Sequence, residues 1–570
     1  MSSTSPSHAG HPGAERHVCD VLVVGSGAGG MAAAVTARLA GLDVLLVEKT
    51  DRIGGTTALS GGGLWVPANP LARAAGVEDD VDDARRYVES LAGNHIDQPV
   101  LDAFLAAGPE MVSFFHAHTD VRFVSSTKFP DYHPDRPGAG VGRTLLTEPF
   151  DSRELGEARP MLREPLRQMT LGGMTLASGD ELWHFLRASR SARSALYVAR
   201  VMARHQLDRI RYGYGTRLTN GNALAARLLR TLLRLDVRIW RRAAVRELSV
   251  GAGAPEASIE HDGVQVRVEA RRGIVLACGG FPHDEALQRR LFPHVRTGSR
   301  HASPAPAGNQ GDGLRLGEAA GGHVRSDLAH AAAWVPVSVI SERDRSVFPH
   351  LVDRQKPGFI AVDRSGRRFV NEAEAYHAFV PAMVAATPPG MPVMAYLVCD
   401  HRAIRKYGLG YAKPWPLPLG PHLRSGYLKR GRTPEELAAH LGLDPNPFRE
   451  TIDRFNAQAE VGQDPEFGRG STAYNKFMGD PSHGPNPCLA PLRQPPYYAV
   501  RLEIGDLGTF AGLKVDAHAR VLDKAERPVE GLYAVGNDMA SVLGGSYPGA
   551  GSTLGPAMVF GFLAGRHLSI

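Results

Sequence analysis

Cysteine is nearly absent: Cys19, Cys278, Cys399 and Cys488 are the only four in 570 residues, and no two lie close in sequence. That excludes a disulfide framework, a dithiol redox motif and a thiolate zinc site, and it fits a reducing cytoplasm. Long apolar runs are missing as well. No stretch of about 18 apolar residues occurs, so no transmembrane helix is expected. Residues 1–16, MSSTSPSHAGHPGAER, have no apolar centre and read as a disordered polar tail rather than a secretory signal. Charge of one sign is scarcely in excess: 65 Lys and Arg stand against 59 Asp and Glu, a net +6. A nucleic-acid partner is not expected, because such proteins concentrate basic charge with interleaved aromatics. The nearest candidate holds Arg187, Arg190, Arg193, Arg200, Arg204, Arg209 and Arg211. It reads as a solvated helix face; the alternative is a basic surface resting on anionic membrane, a peripheral contact. No metal site is expected, since His116 and His118 in FFHAH lack ligand partners nearby.

Glycine is what the chain has in excess, 64 residues, with clusters near both ends. Residues 19–49 read CDVLVVGSGAGGMAAAVTARLAGLDVLLVEK. Val21–Val24 is a continuous apolar run, the mark of a strand buried on both faces. Gly25, Gly27 and Gly30 follow as GxGxxG, with Ser26, Ala28 and Gly29 between them, and an alanine-rich helix comes next. Gly25 permits the tight turn, Gly27 lets the backbone approach a pyrophosphate, and Gly30 lets helix pack on strand. The free N–H groups at the helix start hold phosphate. Glu48 ends the second strand, where a carboxylate can accept ribose hydroxyls; Lys49 follows it. This order of strand, glycines, helix, strand and acid predicts a dinucleotide site without distinguishing NAD from FAD. The next segment, DRIGGTTALSGGGLWVPAN, favours the longer cofactor. Gly54, Gly55, Thr56, Thr57, Ser60, Gly61 and Gly62 make a loop of backbone and hydroxyl donors suited to wrapping FAD.

This loop resembles that of the flavoprotein superfamily of fumarate reductases and 3-ketosteroid dehydrogenases, and the ketosteroid dehydrogenase branch in particular. Relatives that attach FAD covalently place a His in this loop. Thr57 and Ala58 occupy the region here, so the resemblance implies noncovalent FAD. The far end, GLYAVGNDMASVLGGSYPGAGSTLGPAMVFGFLAGR, matches too. Gly536, Asn537 and Asp538 turn at the end of a buried strand, where α/β sheets place ligands. Gly551, Ser552, Thr553 and Leu554 open an apolar final helix whose positive end would face the flavin. GIVLACGGF, with Gly280, resembles the strand that leads such chains out of the FAD domain.

The expected fold is α/β. A Rossmann-like FAD-binding domain is made of discontinuous segments, 17–297 and 500–570. An inserted α+β catalytic domain, 298–499, covers the substrate. Lys356–Phe369 is expected as a hairpin around Arg364–Gly366, Glu435–Ala459 as helix broken at Pro445, and Asp312 as the cap of a helix starting near Gly313.

Three tyrosines stand in motifs resembling ketosteroid dehydrogenase active-site motifs: Tyr547 in SYPGAG, Tyr376 closing RRFVNEAEAY, and Tyr132 in FPDYHP. Dehydrogenation beside a ketone needs a polarised carbonyl, a base for the α-proton and a hydride acceptor. The resemblance assigns the carbonyl to the Tyr547 hydroxyl and Gly551 N–H, the proton to Tyr376, and the hydride to flavin N5. Tyr132 would lower the pKa of Tyr376 by hydrogen bonding. Phe129 stands where some relatives carry another tyrosine. The implied activity is FAD-dependent dehydrogenation of a 3-ketosteroid, 1,2-position favoured, with a lipophilic ketosteroid substrate and an unnamed electron acceptor. A 4,5-dehydrogenase stays open, because Gly508–Gly512 and Gly536–Asp538 depart from the commoner 1-dehydrogenase wording. A fumarate-reductase-like enzyme would need converging cations such as Arg367 and Arg368, and the motif tyrosines argue against it, as SYPGAG argues against a purely flavin-binding protein.

Overall fold

In a computed structural model, the structure describes residues 15–188, 191–251, 253–343 and 346–570. The expected tail and Arg190 lie outside these residues, except that Glu15 and Arg16 already belong to the first strand, Glu15–Val24. Val21–Val24 is buried on both faces, as its apolar run requires. The strand lies between Val44–Glu48 and Val264–Leu276, parallel to both. Arg238–Arg241 extends one side in parallel. On the other side the returning strand Pro528–Ala534 pairs in parallel with the end of Val264–Leu276, and an antiparallel arm, Ala243–Ser249 and Glu256–His261, pairs with its beginning. The ends of the chain thus build one sheet, and the fold is α/β with a discontinuous cofactor-binding part.

The first helix, Ala28–Leu39, is alanine-rich because it must sit close to the final helix, Leu554–His567. A Cβ added at Gly561 would overlap Gly29 O, and one at Gly565 would press on Thr36 and Ala33. Two glycines one turn apart let the backbones approach.

A second, antiparallel sheet carries the inserted part. Its order is Ser346–Pro349, Ala332–Ser341, Tyr497–Thr509, Ala395–Cys399, Phe359–Val362, with Lys429–Gly431 also on the thirteen-residue strand. That long strand spans the expected boundary at residue 500. Arg364–Gly366 does turn the chain after Phe359–Val362, but the return is a single bridge, Val362 to Arg368, rather than a full hairpin. Helices Pro434–Leu441 and Pro445–Glu460 meet at the expected break. Arg368 sits between Glu372 (2.7 Å) and Asp464 (2.8 Å), and Glu372 also pairs with Arg469 at 3.0 Å. All four side chains are buried, so Arg368 ties the insert together, whereas Arg367 is exposed. The pair does not form a carboxylate clamp.

Candidate active site

A cleft runs along the carboxyl ends of the parallel strands. It is lined by Gly25, Ser26, Gly27, Ala28, Gly29, Gly30, Glu48, Lys49, Gly55, Thr56, Thr57, Ser60, Gly536, Asn537, Thr553 and Leu554 among the residues expected for the cofactor. The glycines divide their work. Gly25 takes φ +112° and would overlap Ala277 O if it carried a Cβ, and Gly30 would overlap Gly25 O. At Gly27 a Cβ would meet only Thr57 Oγ1, at 3.9 Å, so it would fill the cleft itself. That open cradle lies before a helix start whose first N–H groups have no intrahelical acceptor, the arrangement a pyrophosphate needs. Ala28 N–H donates to Thr57 Oγ1 at 2.9 Å and fixes the loop over it. The Glu48 carboxylate accepts from Ser26 Oγ (2.6 Å) and Thr50 Oγ1 (2.9 Å), which aim it along the cleft wall.

Six expected residues do not line the cleft. Gly54 donates to Ser26 Oγ and packs on Ala58, a Cβ added at Gly61 would meet no non-neighbouring atom within 4 Å, and Gly62 abuts Asn220. Asp538 accepts from the N–H groups of Gly280 (2.9 Å) and Cys278 (2.5 Å), so Gly280 and Asp538 brace the turn behind the cleft. Burial pushes the Asp538 carboxyl up to about 6. Ser552 bonds to Gly549 O within its own turn. Asp312 caps nothing: its helix begins at Asp312 with Gly311 as cap, and its carboxylate pairs with Lys49 and Arg315. Sequence reasoning missed Arg163 and Asn309. Asn309 Nδ2 bridges Thr56 Oγ1 (2.9 Å) and Gly279 O (3.1 Å). Its GNQGDG setting, a glycine turn before a helix, was the available signal.

Beyond the cleft the three tyrosines converge. Ring centroids lie 5.6 Å apart for Tyr132 and Tyr376, 5.3 Å for Tyr376 and Tyr547, and 5.8 Å for the stacked Tyr132 and Tyr547. The Tyr132 and Tyr376 hydroxyls are 3.3 Å apart. Tyr547 faces the Tyr376 hydroxyl, the Thr553 side chain and the Gly551 N–H. The final helix begins at Leu554, not at Gly551. Gly551 lies in the preceding turn at φ +98°, where a Cβ would overlap Gly63 O. Tyr132 N–H and the Tyr87 hydroxyl both donate to Pro548 O at 2.8 Å, which binds the Tyr132 loop to the Tyr547 loop. Asp131, next to Tyr132, accepts from Trp65 Nε1 (2.8 Å) and Arg143 Nη1 (2.7 Å).

Burial holds the Tyr376 hydroxyl well above the ordinary phenol value, and its bonds to Tyr132 and Tyr547 add to the rise. The expected lowering by Tyr132 is therefore reversed: desolvation dominates, and neighbouring phenols disfavour a second negative charge. Arg354, fully buried, donates to the carbonyls of His350, Glu372 and Glu374, and its charge acts to lower Tyr132 and Tyr474. Tyr474, whose ring centroid is 4.8 Å from that of Tyr132, was another residue missed in the sequence. Phe129, Leu507, Val335 and Val347 complete an apolar wall.

The family model for the FAD binding domain matches residues 20–554. A 3-oxosteroid 1-dehydrogenase of Mycobacterium tuberculosis is 34% identical over 96% of the chain and 98% of its own. This chain belongs to the FAD-dependent 3-ketosteroid dehydrogenase family. The flavoprotein is also 42% identical to a 4-oxocyclohex-2-ene-1-carboxylate 5-dehydrogenase of Sinomonas cyclohexanicum, over 97% of the chain and 94% of that protein. Its fold matches the 3-ketosteroid Δ1-dehydrogenase of Sterolibacterium denitrificans, solved with 1,4-androstadiene-3,17-dione, at a TM-score of 0.89 and 34% identity over 97% and 99% of the two chains. It is an FAD-dependent oxidoreductase acting on CH–CH groups. The Gly27 cradle and the Glu48 wall fit that cofactor. Among the described residues no helix is long and apolar enough to cross a membrane.

Proposed function

We propose that this flavoprotein dehydrogenates the ring carbons beside the ketone of a cyclic ketone, by way of Tyr547, Gly551, Tyr376 and Tyr132. The observation that carries the reading is the meeting of the Tyr547 hydroxyl and the Gly551 N–H beside Tyr376, next to the cofactor cleft. Two donors on one carbonyl oxygen stabilise the enolate-like charge that develops when the α-proton leaves. Tyr376, once ionised, takes that proton, and Tyr132 offers its hydroxyl as the route by which Tyr376 loses it again. The electron pair of the α C–H bond becomes the new double bond as the β-hydrogen departs as hydride. FAD, when bound noncovalently beside Thr57, supplies the hydride acceptor.

A 3-ketosteroid dehydrogenated at the 1,2-position is the substrate reading that the matched tyrosines and the 34% identical relatives support. The 4,5-position uses the same polarising pair. A second reading is a monocyclic oxocyclohexene carboxylate, favoured by the 42% identical relative. Incubation with androstenedione, its 4,5-saturated analogue and 4-oxocyclohex-2-ene-1-carboxylate, with an artificial acceptor and product identification by NMR, separates these. Failure to dehydrogenate any of the three ketones by a flavin-loaded enzyme overturns the proposal.

A further inference from the structure

Each dehydrogenation beside a ketone sets one proton loose where water barely reaches. Tyr132, Tyr376, Tyr474 and Tyr547 are 4%, 6%, 1% and 4% exposed. A phenol that has taken the α-proton must hand it on before it can act as a base again. The Tyr376 hydroxyl has the Tyr132 hydroxyl at 3.3 Å, and the Tyr132 ring packs against Tyr474 with centroids 4.8 Å apart. Gln355 Nε2 donates to the Tyr474 hydroxyl at 3.1 Å, which leaves that hydroxyl's own proton free to be given elsewhere.

Three neighbouring groups are poor receivers. Asp131 is buried and already accepts from Trp65 Nε1, Gly140 N–H and Arg143 Nη1. Burial, with Arg136 adding to it, pushes the His133 imidazole down to about 4. His377 uses Nδ1 to accept the Trp334 N–H at 3.2 Å, and burial holds it well below the ordinary value. Glu374 differs. It lies two residues before Tyr376, ahead of the helix Tyr376–Ala386, and is partly exposed. Its Oε1 accepts from the neutral amides Asn475 Nδ2 (3.1 Å) and Asn371 Nδ2 (3.3 Å), and Asn475 adjoins Tyr474 in the chain. Tyr474 feels the Glu374 charge. Arg354 donates to the Glu374 carbonyl and keeps Nη2 without an acceptor, so a positive charge with a free donor stands among Tyr132, Tyr474 and Glu374.

We propose that Glu374 is the proton outlet of the tyrosine site, an inference that rests on the dehydrogenase reading above. The Tyr376 phenolate takes the α-proton and becomes a phenol. It then gives a proton to Tyr132 as Tyr132 gives its own to Tyr474, and Tyr474 its own to the Glu374 carboxylate. The carboxylic acid releases that proton to solvent. Tyr376 is left a phenolate, Tyr132 and Tyr474 are phenols again, and no electron moves in these steps. Arg354 steadies the negative charge as it crosses the two middle phenols. Burial lifts the Glu374 carboxyl above its ordinary value, against the pull of Asn475 and Arg354, with Asp135 adding to the rise. A carboxyl nearer neutrality is the better proton carrier.

Steady-state turnover of the flavin-loaded enzyme with its best ring ketone tests this. E374Q is expected to lower kcat by at least about tenfold, with KM, flavin absorbance and melting temperature unchanged. In E374A, imidazole at fixed pH should raise kcat in a saturable way, because a partly exposed position admits a small base, while wild type ignores it. Turnover of E374Q within about threefold of wild type overturns the proposal. So does a loss in E374A that imidazole leaves untouched, the mark of a structural role. Should E374Q shed its flavin, Y474F interrupts the same route one step earlier, and full turnover there overturns it as well. A wild-type enzyme that dehydrogenates no ring ketone overturns instead the reading on which the outlet rests, and the outlet with it.

Discussion

Replacing Tyr547 with Phe removes one oxygen and little else. The ring stays stacked on Tyr132 at 5.8 Å and flanked by His377 at 5.7 Å and Phe510 at 6.2 Å. The lost hydroxyl gives up its bonds to Tyr376, Thr553 and the Gly551 N–H. Loss of one buried neutral hydrogen-bonding group costs about 1 kcal/mol of stability, a shift of at most about 2 °C in a protein of this size. In the proposed reaction the same oxygen is one of two donors on the developing enolate. Losing such a donor lowers kcat about 10²- to 10³-fold, or about 2.7–4 kcal/mol of barrier. The barrier effect thus exceeds the stability effect several times over. Dye-coupled turnover with the best ring ketone, beside bound-flavin absorbance and a thermal melt, reads both. A variant with full flavin, an unchanged melt and turnover within about threefold of wild type would refute the role given to Tyr547.

Because burial raises the Tyr376 hydroxyl, its phenolate is scarce at neutral pH and grows about tenfold per unit as pH rises toward that pKa. The rate constant kcat/KM should accordingly climb between about pH 7 and 10, and a flat profile there counts against Tyr376 as the base. Tyr376→Phe should abolish deuterium exchange at the α-carbon of the ketone, measured by NMR. Gly27→Val puts a side chain into the cradle and Glu48→Ala removes the wall carboxylate; both should emerge depleted of FAD after dialysis, by absorbance. Arg368→Met strands Asp464 without its cation and leaves Glu372 to Arg469, and a destabilisation of about 3–5 kcal/mol is expected in denaturant titration.

Much of this molecule was legible because backbone geometry restricts residue type. Gly25 and Gly30 stand where any side chain would overlap a carbonyl, so a strand–turn–helix of that kind announces itself in sequence. The three motif tyrosines were legible through resemblance, and they lie far apart in the chain, so no periodicity could have joined them. What stayed hidden depends on tertiary neighbours. The reversal at Tyr376 comes from the depth of its burial and two adjoining phenols, neither of which a linear pattern records. Gly280 and Asp538 were read as cofactor contacts because they close glycine-rich turns; in space they bond to each other. The helix start was misplaced by three residues because Gly551–Leu554 has the composition of a helix entrance but makes a turn first.

That turn ties two parts of the enzyme together. Gly551 O accepts the Trp65 N–H at 3.1 Å, and its α-carbon is wedged against Gly63, in the glycine-rich loop that ends the cofactor cleft. Whatever loosens that loop also moves the amide that the proposed mechanism aims at the ketone. An enzyme stripped of its flavin should then lose affinity for product-like enolate mimics along with its colour, and reloading should restore both in step. Ligand recognition would then be an acquired property of the holoprotein, assembled where the two ends of the polypeptide meet.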